Sequence, residues 1–302
     1  MRTIAFILPH NPYLPELKAY TDYFRARGFN TVNISDLKEL DTTEYHIEWH
    51  FMGIDTRPRK KNVIKIHDYT SLSIPPFAKI KDSFKKIITR KPDIRVFLND
   101  QVRERMNFRD DVPYGLRDMG VNEIFFEVPA DTPKEYDFCY LGNMDKIRRV
   151  DEFLLHFREH LKESRILMIG EPPAYLSRMF KNDPDIIFTG KVDYLKIPGL
   201  LAKCSYGLNY IPDIYPFNIQ TSTKLLEYCA CGLKVISNEY EWVRNFEKAS
   251  AASFYFLDKE FKNFTLAGIR NFNYVNPDMK KHEWEKVIDN SRVLEMINSL
   301  TS

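Results

Sequence analysis

Short runs of β-branched and aromatic residues alternate with longer amphipathic stretches along the whole chain, and this alternation constrains the fold more than any other feature. Parallel strands need a long crossover connection, which is usually a helix packed across one face of the sheet. A chain that repeats this unit builds an open parallel sheet with helices on both faces. We therefore predict an α/β protein made of doubly wound parallel sheets.

The alternation runs twice, once in each half of the chain. Strands are predicted at Thr3–Leu8, Thr31–Ile34, His46–Phe51, Val63–His67, Ile94–Leu98 and Glu123–Val128, and then at Asp137–Leu141, Ile166–Ile169, Ile186–Phe188, Tyr206–Leu208, Lys234–Ile236 and Phe254–Phe256. Helices are predicted at Leu14–Arg27, Pro76–Arg90, Val150–Leu161, Tyr194–Lys203, Thr223–Cys231, Glu239–Lys248 and, as one long tail, Met279–Leu300.

The length of 302 residues suits two domains of ordinary size. A polar segment with two prolines, residues 128–136, is the best linker. We predict one domain over residues 1–130, a second over 131–278, and a C-terminal helix over 279–302 that packs back toward the first domain. Ligands bind at the carboxyl ends of parallel strands, so two such domains facing each other across a cleft would suit an enzyme with two substrates.

Charge and composition exclude several classes of function. Lys and Arg total 44 and Asp and Glu total 42, which argues against a nucleic-acid partner. The sequence contains no apolar run of the ~18–20 residues that a membrane span needs. The N-terminus reads as a first strand rather than a secretion signal, and the four cysteines lack metal-ligand spacing. We expect a cytoplasmic protein.

The segment from Gln220 to Ser237 carries the most specific chemical pattern. Thr221, Ser222 or Thr223 can cap a helix, and a helix N-terminus is a ready-made anion site because its amides and its dipole favour phosphate. Lys224 adds a charge for a diphosphate, and Glu227, one turn further on, can accept both hydroxyls of a ribose. The other interpretation is a capped surface helix whose Lys and Glu are merely solvated.

The string KLLEYCACGLKVIS in this segment resembles the donor-site helix of the GT-B glycosyltransferases, especially their family-4-like (group 1) branch. Three other segments follow the same family in the right order, at Tyr140–Phe153, Ile187–Val192 and Ala202–Ile211. The resemblance covers about residues 137–240, and it extends to the first half of the chain only through the order of strands and helices.

The resemblance implies two Rossmann-like domains, with a nucleotide-diphosphate sugar held by the second one. It implies that Glu227 holds the ribose, that backbone amides of Thr221–Thr223 meet the diphosphate and that Gly190 and Lys191 lie near the base. Arg148 falls where the family has a phosphate-binding cation, which neutralises charge on the leaving diphosphate. The full set of donor-binding candidates is Gly142, Lys146, Arg148, Gly190, Lys191, Thr221, Ser222, Thr223, Lys224 and Glu227.

The sequence departs from the family at three places. The acidic residue expected eight positions before Glu227 is Ile219, the second cation of the phosphate pair is replaced by Asn143, and residues 9–12 read Pro-His-Asn-Pro instead of a Gly-Gly turn. The candidates for the lost positive charge are Lys146, Arg149 and Lys224.

Proton-handling groups follow a predicted strand of the first half. His67 and Asp68 are placed at its carboxyl end, where they would suit a catalytic or acceptor-binding role. In an inverting enzyme either could take the acceptor proton, and in a retaining enzyme His67 would hold a donor-sugar hydroxyl. The alternative is a turn satisfied by local hydrogen bonds. His10 and Asp100 are weaker candidates of the same kind.

Two further patterns bear on metals and membranes. Asp183-Pro-Asp185 has turn composition, and the resemblance implies a metal-independent enzyme, so we predict no metal and no cofactor. Residues 55–109 hold 15 Lys or Arg against 6 Asp or Glu. Within them, residues 77–91 form a basic amphipathic helix that either contacts an anionic membrane surface or packs by its apolar face as an ordinary surface helix.

The sequence thus predicts a metal-independent sugar transferase that uses a nucleotide-diphosphate sugar. Its acceptor would be a glycan or a lipid-linked glycan, in bacterial surface-polysaccharide assembly, in the cytoplasm or on the inner face of the membrane. Two alternatives remain open: a sugar-nucleotide epimerase of the same fold, and a non-enzymatic two-domain ligand-binding protein.

Overall fold

Two six-stranded sheets organise the chain, and each belongs to its own unit. The computed structural model describes residues 1–9, 14–51, 54–73, 76–129 and 131–301. Unit 1 comprises residues 1–120, 219–221 and 281–302, and unit 2 comprises residues 121–218 and 222–280. His10 lies outside the described residues.

The first 120 residues supply the sheet of unit 1. Their elements are β1 (Thr3–Ile7), α1 (Pro15–Ala26), β2 (Asn30–Ile34), β3 (Ile47–Phe51), β4 (Ile64–Tyr69), α2 (Ala78–Ile88), β5 (Ile94–Phe97), α3 (Asp100–Met106) and β6 (Tyr114–Leu116). The strands lie in the order β2-β1-β3-β4-β5-β6, and every neighbouring pair is parallel.

Unit 2 repeats the plan. Its elements are β7 (Tyr136–Leu141), α4 (Val150–His160), β8 (Ile166–Ile169), α5 (Ala174–Met179), β9 (Ile186–Phe188), α6 (Ile197–Ala202), β10 (Cys204–Asn209), α7 (Thr223–Ala230), β11 (Lys234–Asn238), α8 (Glu241–Ser250), β12 (Tyr255–Leu257) and α9 (Leu266–Asn271). The order is β12-β11-β10-β7-β8-β9, again with every neighbouring pair parallel. The predicted α/β class with two parallel sheets is therefore confirmed.

The predicted strand at Glu123–Val128 is wrong. Residues Glu123–Phe125 form a 3-10 helix, because the side chain of Asn122 accepts a hydrogen bond from the amide of Ile124 and starts a turn. The sixth strand of unit 1 is instead β6, which adds to the edge of the sheet beside β5.

The tail is also not the single helix that its periodicity predicts. It consists of a 3-10 turn (Met279–His282), α10 (Trp284–Asn290) and α11 (Val293–Ser299). The helix breaks at Arg292, whose φ of 56° is left-handed. Next to the break, the hydroxyl of Ser291 donates a hydrogen bond of 2.6 Å to the carbonyl of Ile288. Both helices belong to unit 1, where apolar side chains from them enter the core formed by β1, β3, β4, β5 and α1.

The central strands of unit 1 bury one apolar face and one charged face. Alternation along β3, β4 and β5 sends Ile47, Trp49, Ile66, Ile94 and Val96 into the apolar core. The residues between them are Glu48, His50, Lys65, His67 and Arg95, and all of these are buried too. Because buried charges must be paired, the second face has to be a connected polar network.

No helix in the described part of the chain is long and apolar enough to cross a membrane.

Candidate functional site

Glycines lie at the carboxyl ends of three strands of unit 2: Gly142 directly after β7, Gly170 directly after β8 and Gly190 two residues after β9. Gly142 and Gly170 have φ values of +119° and +141°. A Cβ on Gly170 would lie 2.6 Å from the carbonyl oxygen of Gly142, and Gly170 forms an isolated bridge to Gly190. We call the surface formed by Gly142, Gly170 and Gly190 the glycine shelf. It lies at the carboxyl ends of the strands, which is where a parallel sheet binds its ligand.

The N-terminus of α7 lies free of a side-chain cap. Ser222, one of the three candidate cap residues, occupies the N-cap position, but its hydroxyl donates to Asn209 at 2.7 Å instead of accepting from the helix. Asn209 in turn donates to Ser237 and to Tyr240, each at 2.9 Å, so this buried network fixes where the helix starts. The first-turn amides beginning at Thr223 remain available to an anion.

Two cations lie close together beside this helix start. The Nζ of Lys224 sits 3.8 Å from the ring centroid of Tyr140, and it would lie 3.9 Å from a Cβ on Gly142. The guanidinium of Arg148 lies 4.3 Å from the ring centroid of Phe217. Burial, with help from the Arg148 charge, lowers the pKa of Lys224 well below its usual value. Within the described residues neither cation forms a salt bridge, so an anion bound here would stabilise both charges.

Glu227 lies one turn further along α7 and is buried. Its Oε1 accepts a hydrogen bond of 3.1 Å from the hydroxyl of Tyr194, whose ring packs on Phe125 with centroids 5.4 Å apart. Burial raises the pKa of Glu227 to about 8, against the opposing influence of Tyr194 and Lys224. A carboxyl group whose pKa is this strongly raised, next to a lysine whose pKa is lowered, is typical of a binding site rather than of a solvated helix face.

Tyr228 holds α7 against the sheet. Its hydroxyl accepts a hydrogen bond of 2.7 Å from the amide of Leu141, the last residue of β7. A Cβ on Gly207 of β10 would lie 2.5 Å from the Tyr228 ring, so only glycine allows this approach. The glycine shelf and the start of α7 are therefore positioned by the same side chain.

The other donor-binding candidates lie as follows. The amide of Lys191 donates to Glu171 Oε2 at 3.1 Å, and Gly190 connects this loop to the shelf through Gly170. Lys146 lies in a 3-10 turn (Lys146–Arg148) with its side chain exposed. Thr221 belongs to unit 1, where its hydroxyl donates to Asp118. The structure thus groups Gly142, Arg148, Lys224 and Glu227 around the helix start.

The sequence predicted His67 and Asp68 at the end of a strand, but the structure places both of them inside one. Strand β4 continues to Tyr69, so both residues lie within it and their side chains point to opposite faces of the sheet. Only 4% of His67 and 1% of Asp68 is exposed. The reason is that the pairing of β4 with β5 extends through Asp68 and Tyr69.

Asp68 neutralises a buried arginine. One of its oxygens accepts from Arg117 Nη2 at 3.1 Å, and the other accepts from the Tyr20 hydroxyl at 3.0 Å and from Trp49 Nε1 at 3.3 Å. Arg117 also donates to the Tyr20 oxygen at 3.0 Å. The set forms a closed network between β4, α1 and the residue after β6, which favours a structural role for Asp68.

His67 belongs to the polar network on the other face of the sheet. Its Nε2 lies 3.0 Å from Asp55 Oδ2, and Lys65 Nζ lies 2.7 Å from the same oxygen. Burial lowers the pKa of His67, against the opposing influence of the Asp55 carboxylate. The hydrogen bonds from His67 and Lys65 outweigh burial at Asp55 and lower its pKa.

The same network contains the group of residues best suited by type to hold a metal. Ligand atoms of Glu48, His50 and Asp55 lie within 4.8 Å of one another. However, the ammonium of Lys65 lies 2.7 Å from Asp55 and 3.7 Å from Glu48, and His50 lies 2.6 Å from Glu48. Lys65 therefore supplies the positive charge that a cation would bring, and the donor set does not favour a metal.

Sequence reasoning missed several residues of these networks. Tyr194 lies outside the matching segments, and Tyr228 lies inside the string KLLEYCACGLKVIS without a predicted role, because both act through residues far away in the sequence. Asp118 was missed as well: burial raises its pKa, and it accepts hydrogen bonds from Thr221 and from the amide of Met119. Its position two residues beyond a strand was the available signal, but β6 itself was not predicted.

The structural role of Asp68 makes a prediction about stability. Asp68→Ala should lower the free energy of unfolding by about 3–5 kcal/mol, because it leaves Arg117 buried without its partner. Asp111→Ala, which removes an exposed ion pair with Lys91, should have little effect, because solvent screens an exposed pair. Urea titration followed by circular dichroism measures both. Equal small losses for the two variants would contradict the structural role.

The raised pKa of Glu227 makes a prediction about pH. The unfolded chain ionises near the ordinary pKa of 4.5 while the folded protein keeps its proton up to about 8, so ionisation opposes folding as pH rises through this window. Glu227→Gln should therefore gain at least about 1 kcal/mol of stability over wild type between about pH 5 and about pH 8. The exposed Glu44→Gln serves as control, and a gain independent of pH would refute the assignment.

Comparison with known proteins agrees with this geometry. Residues 135–251, which include the glycine shelf, Arg148 and all of α7, match the family described as Glycosyl transferases group 1. No curated protein sequence matches the chain.

Similar solved structures extend over both units. HepE from Anabaena in complex with UDP and glucose has a TM-score of 0.70 and 10% identity, with 99% of this chain and 100% of that chain covered. Sucrose-phosphate synthase from Thermosynechococcus elongatus has a TM-score of 0.68 and 12% identity, covering 100% and 98%. UDP-GlcNAc 2-epimerase from Methanocaldococcus jannaschii has a TM-score of 0.54 and 11% identity, covering 98% and 99%. The predicted resemblance is confirmed: the chain has the GT-B fold, and its second half matches the group 1 glycosyltransferases.

Proposed function

We propose that this protein is a glycosyltransferase whose donor is a nucleotide-diphosphate sugar bound by unit 2. The observation that carries the proposal is the pair of basic side chains, Lys224 and Arg148, which form no salt bridge within the described residues and lie beside the start of α7. A diphosphate supplies the negative charge that this arrangement lacks. The family match over residues 135–251 supports the same assignment.

Each part of the donor has a corresponding part of the site. The diphosphate lies between the first-turn amides of α7 and the two cations. The ribose hydroxyls lie at Glu227, one turn along the same helix, and the base lies over the shelf toward Gly190 and Lys191. The similar structure of HepE contains UDP and glucose, so UDP is the first nucleotide to test.

Electrostatic stabilisation of the leaving group is the main catalytic contribution that we propose. When the bond from the sugar to the diphosphate breaks, negative charge grows on the phosphate oxygen that bore the sugar. Arg148 and Lys224 are placed to neutralise that charge, and fixed charges in a site of low polarity are the largest single source of catalysis in many enzymes. In this chain Lys224 would replace the cation that Asn143 does not provide.

No proton transfer is assigned to His67 or Asp68, because both side chains are buried within β4 and engaged in hydrogen bonds. We propose that the acceptor is a glycan or a lipid-linked glycan of a bacterial surface polysaccharide. A lipid-linked acceptor would place the enzyme on the cytoplasmic face of a membrane, and residues 77–91 are the part of the chain whose charge suits that place.

The epimerase remains the second candidate, because a UDP-GlcNAc 2-epimerase shares the fold. The two activities differ in their need for an acceptor. An epimerase interconverts UDP-sugars alone, whereas a transferase releases UDP faster when an acceptor is added. A two-domain binding protein would bind the nucleotide sugar but would catalyse neither epimerisation nor sugar transfer.

Nucleotide binding tests the donor site directly. Lys224→Met and Glu227→Ala should each weaken UDP binding by about 1.5–3 kcal/mol, the range for hydrogen bonds to charged groups. Lys146→Met removes an exposed lysine of the same unit and should leave the affinity nearly unchanged. Isothermal titration calorimetry measures all three. A larger loss for Lys146→Met than for Lys224→Met would show that Lys146 supplies the missing charge instead.

We also propose that the enzyme needs no metal ion and no cofactor. Sugar transfer or UDP-sugar hydrolysis should therefore persist in excess EDTA, because Arg148, Lys224 and the helix start stabilise the leaving diphosphate. Loss of activity on chelation, with recovery on addition of Mg²⁺ or Mn²⁺, would contradict the proposal. Asp183 and Asp185, or Glu48 and His50, would then be the residues to substitute.

A further inference from the structure

Helix α2 turns its apolar side toward solvent. The buried residues of the helix are Ala78 and Asp82, and Asp82 accepts a hydrogen bond of 3.0 Å from the amide of Ser73. Three of the four large apolar side chains of the helix are exposed instead: 68% of Ile80, 59% of Phe84 and 78% of Ile87, whereas Ile88 is half-buried. Phe77, which directly precedes the helix, is 72% exposed. The ordinary surface helix, packed by its apolar face, is therefore not what the chain forms.

Ile80, Phe84 and Ile87 make one surface of the helix, which we call the apolar stripe. Their spacing of four and three residues brings them onto one face of a helix, and the exposed Phe77 lies just before its first turn. At 100° per residue, Lys81 and Lys85 flank the stripe on one side, and Lys79 and Lys86 flank it on the other. A solvent-facing apolar strip between two rows of lysines is typical of a helix that lies in the plane of a membrane interface.

The charge of the flanking lysines distinguishes two possible partners of the apolar stripe, a second copy of the chain and an anionic lipid surface. A second copy of the chain, docked stripe to stripe, would bring lysine rows of the same sign together, which is unfavourable. An anionic lipid surface offers apolar chains to the stripe and phosphates to the lysines at the same time. The surrounding residues 55–109, with 15 basic against 6 acidic side chains, strengthen the attraction to such a surface.

We propose that α2 is a membrane-docking helix: the apolar stripe inserts below the headgroups of an anionic membrane, and the flanking lysines contact the phosphates. The proposal deepens the membrane location given above and rests on that part of the proposed function. Its test needs neither donor nor acceptor, so a failure here leaves the glycosyltransferase assignment open to its own binding assay.

Vesicle sedimentation is the first test. The protein should bind vesicles of phosphatidylcholine with phosphatidylglycerol more tightly than vesicles of phosphatidylcholine alone, and added salt should weaken the binding. The variant Ile80→Gln, Phe84→Gln, Ile87→Gln should bind about tenfold more weakly or worse. The matched control is Leu37→Gln, Met179→Gln, Leu300→Gln, which removes three exposed apolar side chains from other surfaces and should bind like wild type. Equal binding by the two triple variants would overturn the proposal.

Fluorescence distinguishes insertion from adsorption by charge alone. In Phe84→Trp the new indole is on the stripe, whereas Trp49, Trp242 and Trp284 are buried in the protein. Its emission should shift to the blue on anionic vesicles and be quenched by lipids brominated on their acyl chains. Binding without a shift or quenching would refute insertion.

Concentration-dependent self-association, abolished in the stripe variant and without lipid binding, would identify a second copy as the occupant and overturn the proposal. UDP calorimetry on the stripe variant should match wild type and reports on the donor site independently.

Discussion

The positive charge beside Gly142 is the feature on which the proposed site depends. Unit 1 also buries a cation, Arg117, but there Asp68 and Tyr20 satisfy it within the protein. In unit 2, Lys224 and Arg148 have no such partner in the described structure, and burial together with their mutual repulsion lowers the pKa of Lys224. The same physical rule therefore gives one charge a structural role and makes the other the centre of the proposed donor site.

The two candidate donor-site residues on α7 are grouped by local geometry. Lys224 and Glu227 belong to one helix, so their spacing and their distance from its start follow from helical periodicity. Tyr194 contacts Glu227 of that helix from a distant part of the chain, and Tyr228, on the helix itself, contacts the distant Leu141 and Gly207, so no local pattern identifies either role. For His67 and Asp68 the predicted strand ended two residues too early, and this error placed two buried side chains at an exposed edge.

The same distinction explains the fold. Strands with clear apolar runs were predicted within one or two residues, whereas β6 has three residues and depends on pairing with β5. The direction in which α2 presents its apolar side could not be predicted either. Periodicity shows that the helix has an apolar face, but it does not show whether that face packs on the protein or lies in solvent. Burial of Asp82, a tertiary feature, fixed that orientation.

The tail has a consequence for the order of events during synthesis. Ile288, Val293 and Ile297 complete a core whose other members come from the first hundred residues, including Ile4 and Trp49. The ribosome releases those early residues long before the tail exists, while all of unit 2 lies between them and emerges as one nearly continuous stretch. Unit 2 thus has its whole core available first, and the segment made earliest is the last to obtain all of its packing partners.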